Sequence, residues 1–124
     1  MDLQLKLHKE KWNHDCIVID DGSHNEQLKE VCKKWNVPLL GVDDVTLGHH
    51  PGDFKSYKLG IPYFRNKEWV IKISRRCLWS YDLSTTLAQY KDAKVLSAWQ
   101  RGQHNTMATN CIAYHLSSIP RECI

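Results

Sequence analysis

The chain contains no CxxC pair, no apolar amino-terminal segment of the signal type, and no run approaching the roughly 20 apolar residues that cross a bilayer. A membrane-spanning helix is therefore excluded, and membrane contact is peripheral if it occurs at all. An odd number of cysteines, five, without paired spacing points to reduced thiols in an intracellular, cytoplasmic protein. There is also no internal repeat, no low-complexity tract and no basic tail. Lys6, Lys9, Lys11, Lys33, Lys34, Lys55, Lys58, Arg75, Arg76 and Arg101 are scattered, so a net charge of +3 does not call for nucleic acid.

What is present is ordinary for a folded domain: 42% hydrophobic and 25% charged residues leave too much apolar surface for a disordered chain. At 124 residues the length predicts a single domain, 1–124, able to build a core but small for an enzyme that holds two substrates. Short apolar runs alternate with helical or loop-like stretches, which predicts an α/β class.

Cys16, Ile17, Val18 and Ile19 form a continuous apolar run, the pattern of a parallel strand covered on both faces. Ser23 and Glu26 have the spacing of a capping box. Behind them Leu28, Val31, Cys32 and Trp35 recur at three and four residues, predicting a helix with one apolar stripe. Val37 to Val42, entered through Pro38, reads as the next strand. Residues 46–57 read as a polar loop leading to a short helix near Phe54 to Leu59. Trp69 to Ile73 is the third strand, a helix capped near Ser84 carries Leu83, Leu87 and Tyr90, and Val95–Trp99 and Asn110–Leu116 are apolar segments of open type.

Asp20, Asp21, Gly22 and Ser23 stand directly after the first buried run, and open α/β sheets bind ligands beyond the carboxyl ends of their strands. Carboxylates at that position must meet water, a metal, or hydroxyl and amide donors of a ligand. A ribose hydroxyl or a base imide N–H supplies such donors. Gly22 permits positive φ and a close approach to the backbone. The bland alternative is an acidic turn that favours the start of the following helix.

The string Ile17-Val18-Ile19-Asp20-Asp21-Gly22-Ser23 resembles the donor-nucleotide motif of family 2-type glycosyltransferases with the GT-A fold. Gly52-Asp53-Phe54-Lys55-Ser56-Tyr57-Lys58-Leu59-Gly60-Ile61 resembles that family's glycine-led helix ending in Gly-Ile, and Trp69–Ile73 lies where its next buried strand belongs. The resemblance spans about residues 12 to 116. It implies a Rossmann-like nucleotide-diphospho-sugar transferase fold with a mostly parallel central sheet. It implies a nucleotide-sugar donor whose base and ribose are held by Asp20, Asp21, Gly22 and Ser23, and a glycan or other hydroxyl acceptor.

The sequence departs from that pattern in two places. The metal-binding Asp-x-Asp of the family is replaced by Lys72-Ile73-Ser74-Arg75-Arg76, so the resemblance leaves Lys72 and Arg75 as candidate diphosphate contacts, cations standing where a Mg or Mn ion would act. On a strand, Arg75 and Arg76 would face opposite sides. Only 16 residues precede Ile17, where the family has a first strand and helix of about 40 residues. Leu3 to Leu7, whose alternation permits a strand, is one substitute; the other expectation is that residues 1–14 are the tail of the usual first helix in a truncated chain. An inverting transfer needs a carboxylate base; Asp82 and Asp92 are the candidates, and Asp82 is preferred because it lies near the proposed diphosphate site, with the alternative that it merely leads a helix. Residues 106–111 would form an acceptor-side loop, with Trp79 and Trp99 as sugar-stacking or core residues.

Other readings compete. Asp20-Asp21-Gly22-Ser23-His24 also resembles a motif of some S-adenosylmethionine-dependent methyltransferases, but no glycine-rich turn precedes Ile17. A receiver-like domain would place a phosphorylatable Asp where Lys72 and Arg75 stand. A non-catalytic remnant of the transferase fold is the remaining alternative. His49, His50, Asp53, His104 and His115 match no specific metal-site spacing, and Cys16, Cys32, Cys77 and Cys111 lie in apolar patterns that suit core residues.

Overall fold

A computed structural model describes residues 1–20, 22, 25–42, 49–75, 77–78, 81–97 and 111–123, the side chains of 49–53 and 123 excepted. The chain forms two compact units, Met1–Gly60 and Ile61–Ile124.

In the first unit α1 (Asp2–Lys6) continues into a π-helical turn, Leu7–Lys11. The segment whose alternation permits a strand is thus helical, and burial explains why. Gln4, Leu5 and His8 are buried at spacings of one and three, which fit a period of 3.6 and not of two. Asp2 fastens this helix to the end of α2 (Glu26–Lys34): Trp35 Nε1 donates to its Oδ1 at 2.6 Å and Lys34 Nζ donates at 3.1 Å. Those two hydrogen bonds, Trp35 first, hold the Asp2 carboxyl below the usual carboxylate range.

The predicted first strand narrows to β1 (Val18–Ile19), paired in parallel with β2 (Leu39–Leu40). Val18 N donates to Pro38 O at 2.9 Å and Asp20 N to Leu40 O at 2.8 Å. The predicted cap, Ser23, lies outside the described residues, and α2 starts two residues beyond the expected position. Asn25 caps it, its Oδ1 accepting from Leu28 N at 3.3 Å. Glu26 lies 2.8 Å from Lys29 on the outer face. The predicted stripe faces inward: Leu5, Val18, Cys32 and Val37 form a core, with Cys16, Leu28, Val31, Trp35 and Leu39 packed against it. Full burial of such a side chain contributes about 1.5–3 kcal/mol, so α1 is integral to this unit.

Helix α3 (His49–Tyr63) is 15 residues long, far longer than the short helix expected near Phe54. Its prolines do not forbid this. Pro51 lies in the first turn, where a backbone N–H has no intrahelical partner to lose; Pro62 forfeits the bond its N–H would make to the Lys58 carbonyl, and the helix ends one residue later at Tyr63.

The second unit contains β3 (Trp69–Ile73), α4 (Leu83–Gln89), β4 (Val95–Ser97), β5 (Cys111–His115) and a 3-10 turn, Leu116–Ser118. Strand β5 lies between β3 and β4, antiparallel to both. Its Cys111, Ile112 and Ala113 are all buried, as befits a central strand covered on both sides. The two apolar segments of open type are therefore strands. The molecule is mixed α/β, but the expected mostly parallel central sheet is not found among the described residues: they form a two-stranded parallel sheet and a separate three-stranded antiparallel one. No helix among the described residues is long and apolar enough to cross a membrane.

Candidate functional site

Asp20 is the first residue after β1 and is 5% exposed, at the carboxyl end of the parallel pair as expected. Gly22 takes φ +93° and Gly41, the first residue after β2, takes φ +81°. Both chains thus turn sharply as they leave the sheet. Lys55 reaches this place from α3: it is 7% exposed and its Nζ donates to Gly41 O at 2.7 Å. The packing is close enough that a Cβ on Gly41 would lie 2.6 Å from the Asp20 carbonyl and 2.7 Å from Lys55 Cε. A buried acid and a buried ammonium side chain therefore converge on the ends of two parallel strands. Burial pushes the Cys32 thiol up, and the nearby negative charge of Asp20 adds to it. Asp21 and Ser23 lie outside the described residues.

Lys72, Arg75 and Asp82 belong to the second unit. Lys72 is half-buried in β3 opposite Ile112. Arg75 is exposed and follows the strand, in a turn closed by Cys77 N donating to Ser74 O at 2.9 Å. Strand β3 ends at Ile73, so Arg75 lies beyond it, and Arg76 lies outside the described residues. Asp82, expected as a base, is the N-cap of α4: its carboxylate accepts from Ser84 N at 2.9 Å, and its carbonyl accepts from Thr85 Oγ1 at 2.7 Å. The helix start expected near Ser84 accordingly lies at Leu83.

Trp79, Trp99, His104 and residues 106–110 of the expected acceptor loop lie outside the described residues, as do the side chains of His49, His50 and Asp53. Among the described residues no group of three or more histidine, cysteine or acidic side chains is arranged to hold a metal. Cys32 and Cys111 are buried, whereas Cys16 and Cys77 are only partly so. Burial raises Cys16, with Lys9 opposing, and burial followed by the charge of Cys77 pushes Cys111 up to about 11.

Three arrangements escaped the sequence reading. Lys55 was hidden because a helical lysine reads as a solvated position until its helix is placed. His8 and His14 bring their Nδ1 atoms within 3.0 Å through the π-helical turn and a left-handed Asn13, neither of which has a spacing signature. Glu68, His115 and Ser117 meet only through the antiparallel register of β3 and β5. Comparison of the chain with protein-family models, curated proteins and solved structures found no match.

Proposed function

We propose that the chain is a GT-A-like glycosyltransferase domain that binds a nucleotide-sugar donor and passes the sugar to a hydroxyl acceptor. The observation that carries this reading is the buried Asp20 at the end of a buried parallel strand, followed by a positive-φ Gly22, within the string Ile17-Val18-Ile19-Asp20-Asp21-Gly22-Ser23. A carboxylate in that setting accepts from ribose hydroxyls or a base N–H, and the glycine turn at Gly22 lets a ligand approach the backbone closely. By the resemblance, the diphosphate falls to Lys72 and Arg75, whose cations neutralise the leaving group as a metal would. Lys55 supports the ends of β1 and β2 from beneath and keeps Gly41 in its turn.

Asp82 divides transfer from binding. Its use as a helix cap favours a second reading, in which the domain binds a nucleotide diphosphate without turnover. Calorimetric titration with UDP, GDP and dTDP separates these from a degenerate fold. Binding of one nucleotide that weakens in Asp20→Ala and Asp21→Ala supports the donor site; equal affinity in both variants removes it. Release of free nucleoside diphosphate together with a glycosylated acceptor, when sugar nucleotide and acceptor hydroxyls are both supplied, distinguishes the transferase from the binding module.

A further inference from the structure

The antiparallel order β3-β5-β4 brings the carboxyl end of β5 to the amino ends of both neighbours. Glu68 immediately precedes β3, Lys94 immediately precedes β4, and His115 ends β5 with Ser117 two residues beyond. These four side chains meet there. Ser117 Oγ lies 2.6 Å from His115 Nδ1, His115 Nε2 lies 3.3 Å from Glu68 Oε1, and Lys94 Nζ donates to Ser117 Oγ at 3.4 Å.

The protons in this chain are fixed by one unambiguous donor. The Ser117 backbone N–H points at His115 Nδ1 at 3.2 Å, so Nδ1 is an acceptor and the ring proton sits on Nε2, directed at the Glu68 carboxylate. The Ser117 hydroxyl must then donate to Nδ1. Trp69, the cross-strand partner of His115, packs edge-on against the imidazole with centroids 5.0 Å apart and restrains its ring. Backbone hydrogen bonds hold the frame: Leu116 N donates to Glu68 O and His115 N to Lys94 O, each at 2.9 Å.

We propose that Ser117 is a nucleophile activated by His115, oriented by Glu68, and able to take an acyl group from a carboxylic ester. This site stands at the amino end of β3, whereas Lys72 and Arg75 stand at its carboxyl end. Ser117 Oγ attacks the ester carbonyl carbon while its proton passes to His115 Nδ1, and the imidazolium is stabilised by Glu68. The C–O bond to the alcohol breaks, and the departing oxygen takes the proton from Nδ1. Water then attacks the acyl-serine, giving its proton to Nδ1, and the carboxylic acid leaves as Ser117 regains its hydrogen. The Lys94 ammonium, 3.4 Å from Ser117 Oγ, supplies a positive charge beside the developing oxyanion. Ser117 is exposed and His115 is 19% exposed, so an ester reaches the pair from solvent.

The test treats the full chain with a fluorophosphonate probe and with p-nitrophenyl acetate, followed by peptide mass spectrometry. The expected result is a single adduct on Ser117, absent in Ser117→Ala, with the labelling rate reduced about 100-fold in His115→Gln and less strongly in Glu68→Gln. No adduct on Ser117, or equal rates in parent and His115→Gln, overturns the proposal and leaves His115 as the cap of the 3-10 turn. Should His115→Gln fail to fold by circular dichroism, Glu68→Gln on the exposed side of the ring supplies the same comparison, and an unchanged rate there overturns the proposal equally. Nucleotide affinity is measured on Ser117→Ala in parallel. It is expected to be unchanged, so the two sites fail or stand separately.

Discussion

Lys55 and Gly41 are joined by a 2.7 Å hydrogen bond that runs from the ammonium of α3 to the carbonyl that follows β2. The bond seats the helix on the carboxyl ends of the parallel pair, beside the buried Asp20. It makes the backbone of Gly41 both a structural acceptor and a wall of the candidate site.

Two glycines of the first unit are expected to respond in opposite ways to alanine. At Gly41 a Cβ would meet the Asp20 carbonyl at 2.6 Å with φ at +81°, so Gly41→Ala loses about 2–4 kcal/mol in urea unfolding. At Gly60 the nearest atom, Ile19 Cδ1, would be 3.5 Å away within a helix, so Gly60→Ala is neutral or stabilising by up to about 1 kcal/mol.

Leu5→Ala tests whether the amino-terminal helix belongs to the core. Leu5 is 4% exposed against Val18, Cys32 and Val37, and its truncation is expected to cost about 2–4 kcal/mol in the same assay. A loss below about 0.5 kcal/mol would mean that α1 packs only loosely on the first unit.

At Asp82 the cap and the proposed base are separable. Asparagine caps a helix as well as aspartate does but cannot accept a proton, whereas alanine does neither. Asp82→Asn is therefore expected to keep the parent melting temperature and lose transfer, while Asp82→Ala also loses about 1 kcal/mol of stability. Equal turnover in Asp82→Asn and parent would limit Asp82 to capping.

Alkaline pH should weaken the second unit through Cys111. Its thiol is raised from an ordinary 9.0 to about 11 by burial, so the unfolded chain releases this proton first and the native state binds more protons in between. Stability from this group is complete below the ordinary thiol value and is lost as pH rises toward the folded one. The loss amounts to about 2–3 kcal/mol. In Cys111→Ala that part of the slope between these two pH values should vanish.

The third strand and the main helix stripe are legible in sequence because burial leaves a periodic trace, whereas Val95–Ser97 and Cys111–His115 lie in apolar segments whose type the pattern leaves open. Trp69–Ile73 and the Leu28, Val31, Cys32 and Trp35 stripe stand where the pattern put them. Cap positions were less so, since Asn25 and Asp82 competed with nearby serines of equal capping power. Leu3–Leu7 misled because five residues cannot separate a period of two from one of 3.6 until Gln4, Leu5 and His8 are known to share a buried face. The acid pair was visible as a motif, but the Lys55–Gly41 and Glu68–His115 contacts join residues 14 and 47 apart, which no local spacing records.

The most direct measurement for the donor site is calorimetric titration of the parent protein, Asp20→Ala and Arg75→Ala with UDP, GDP and dTDP, each with and without EDTA. The account predicts that one nucleotide binds, that EDTA changes its affinity little, that Asp20→Ala weakens it, and that Arg75→Ala weakens it by about 1.5–3 kcal/mol, the scale of a charge-assisted hydrogen bond. Binding abolished by EDTA and indifferent to Arg75→Ala would replace the cationic site with a metal held by Asp20 or Asp21. No binding of any nucleotide to the parent protein would contradict the donor site itself.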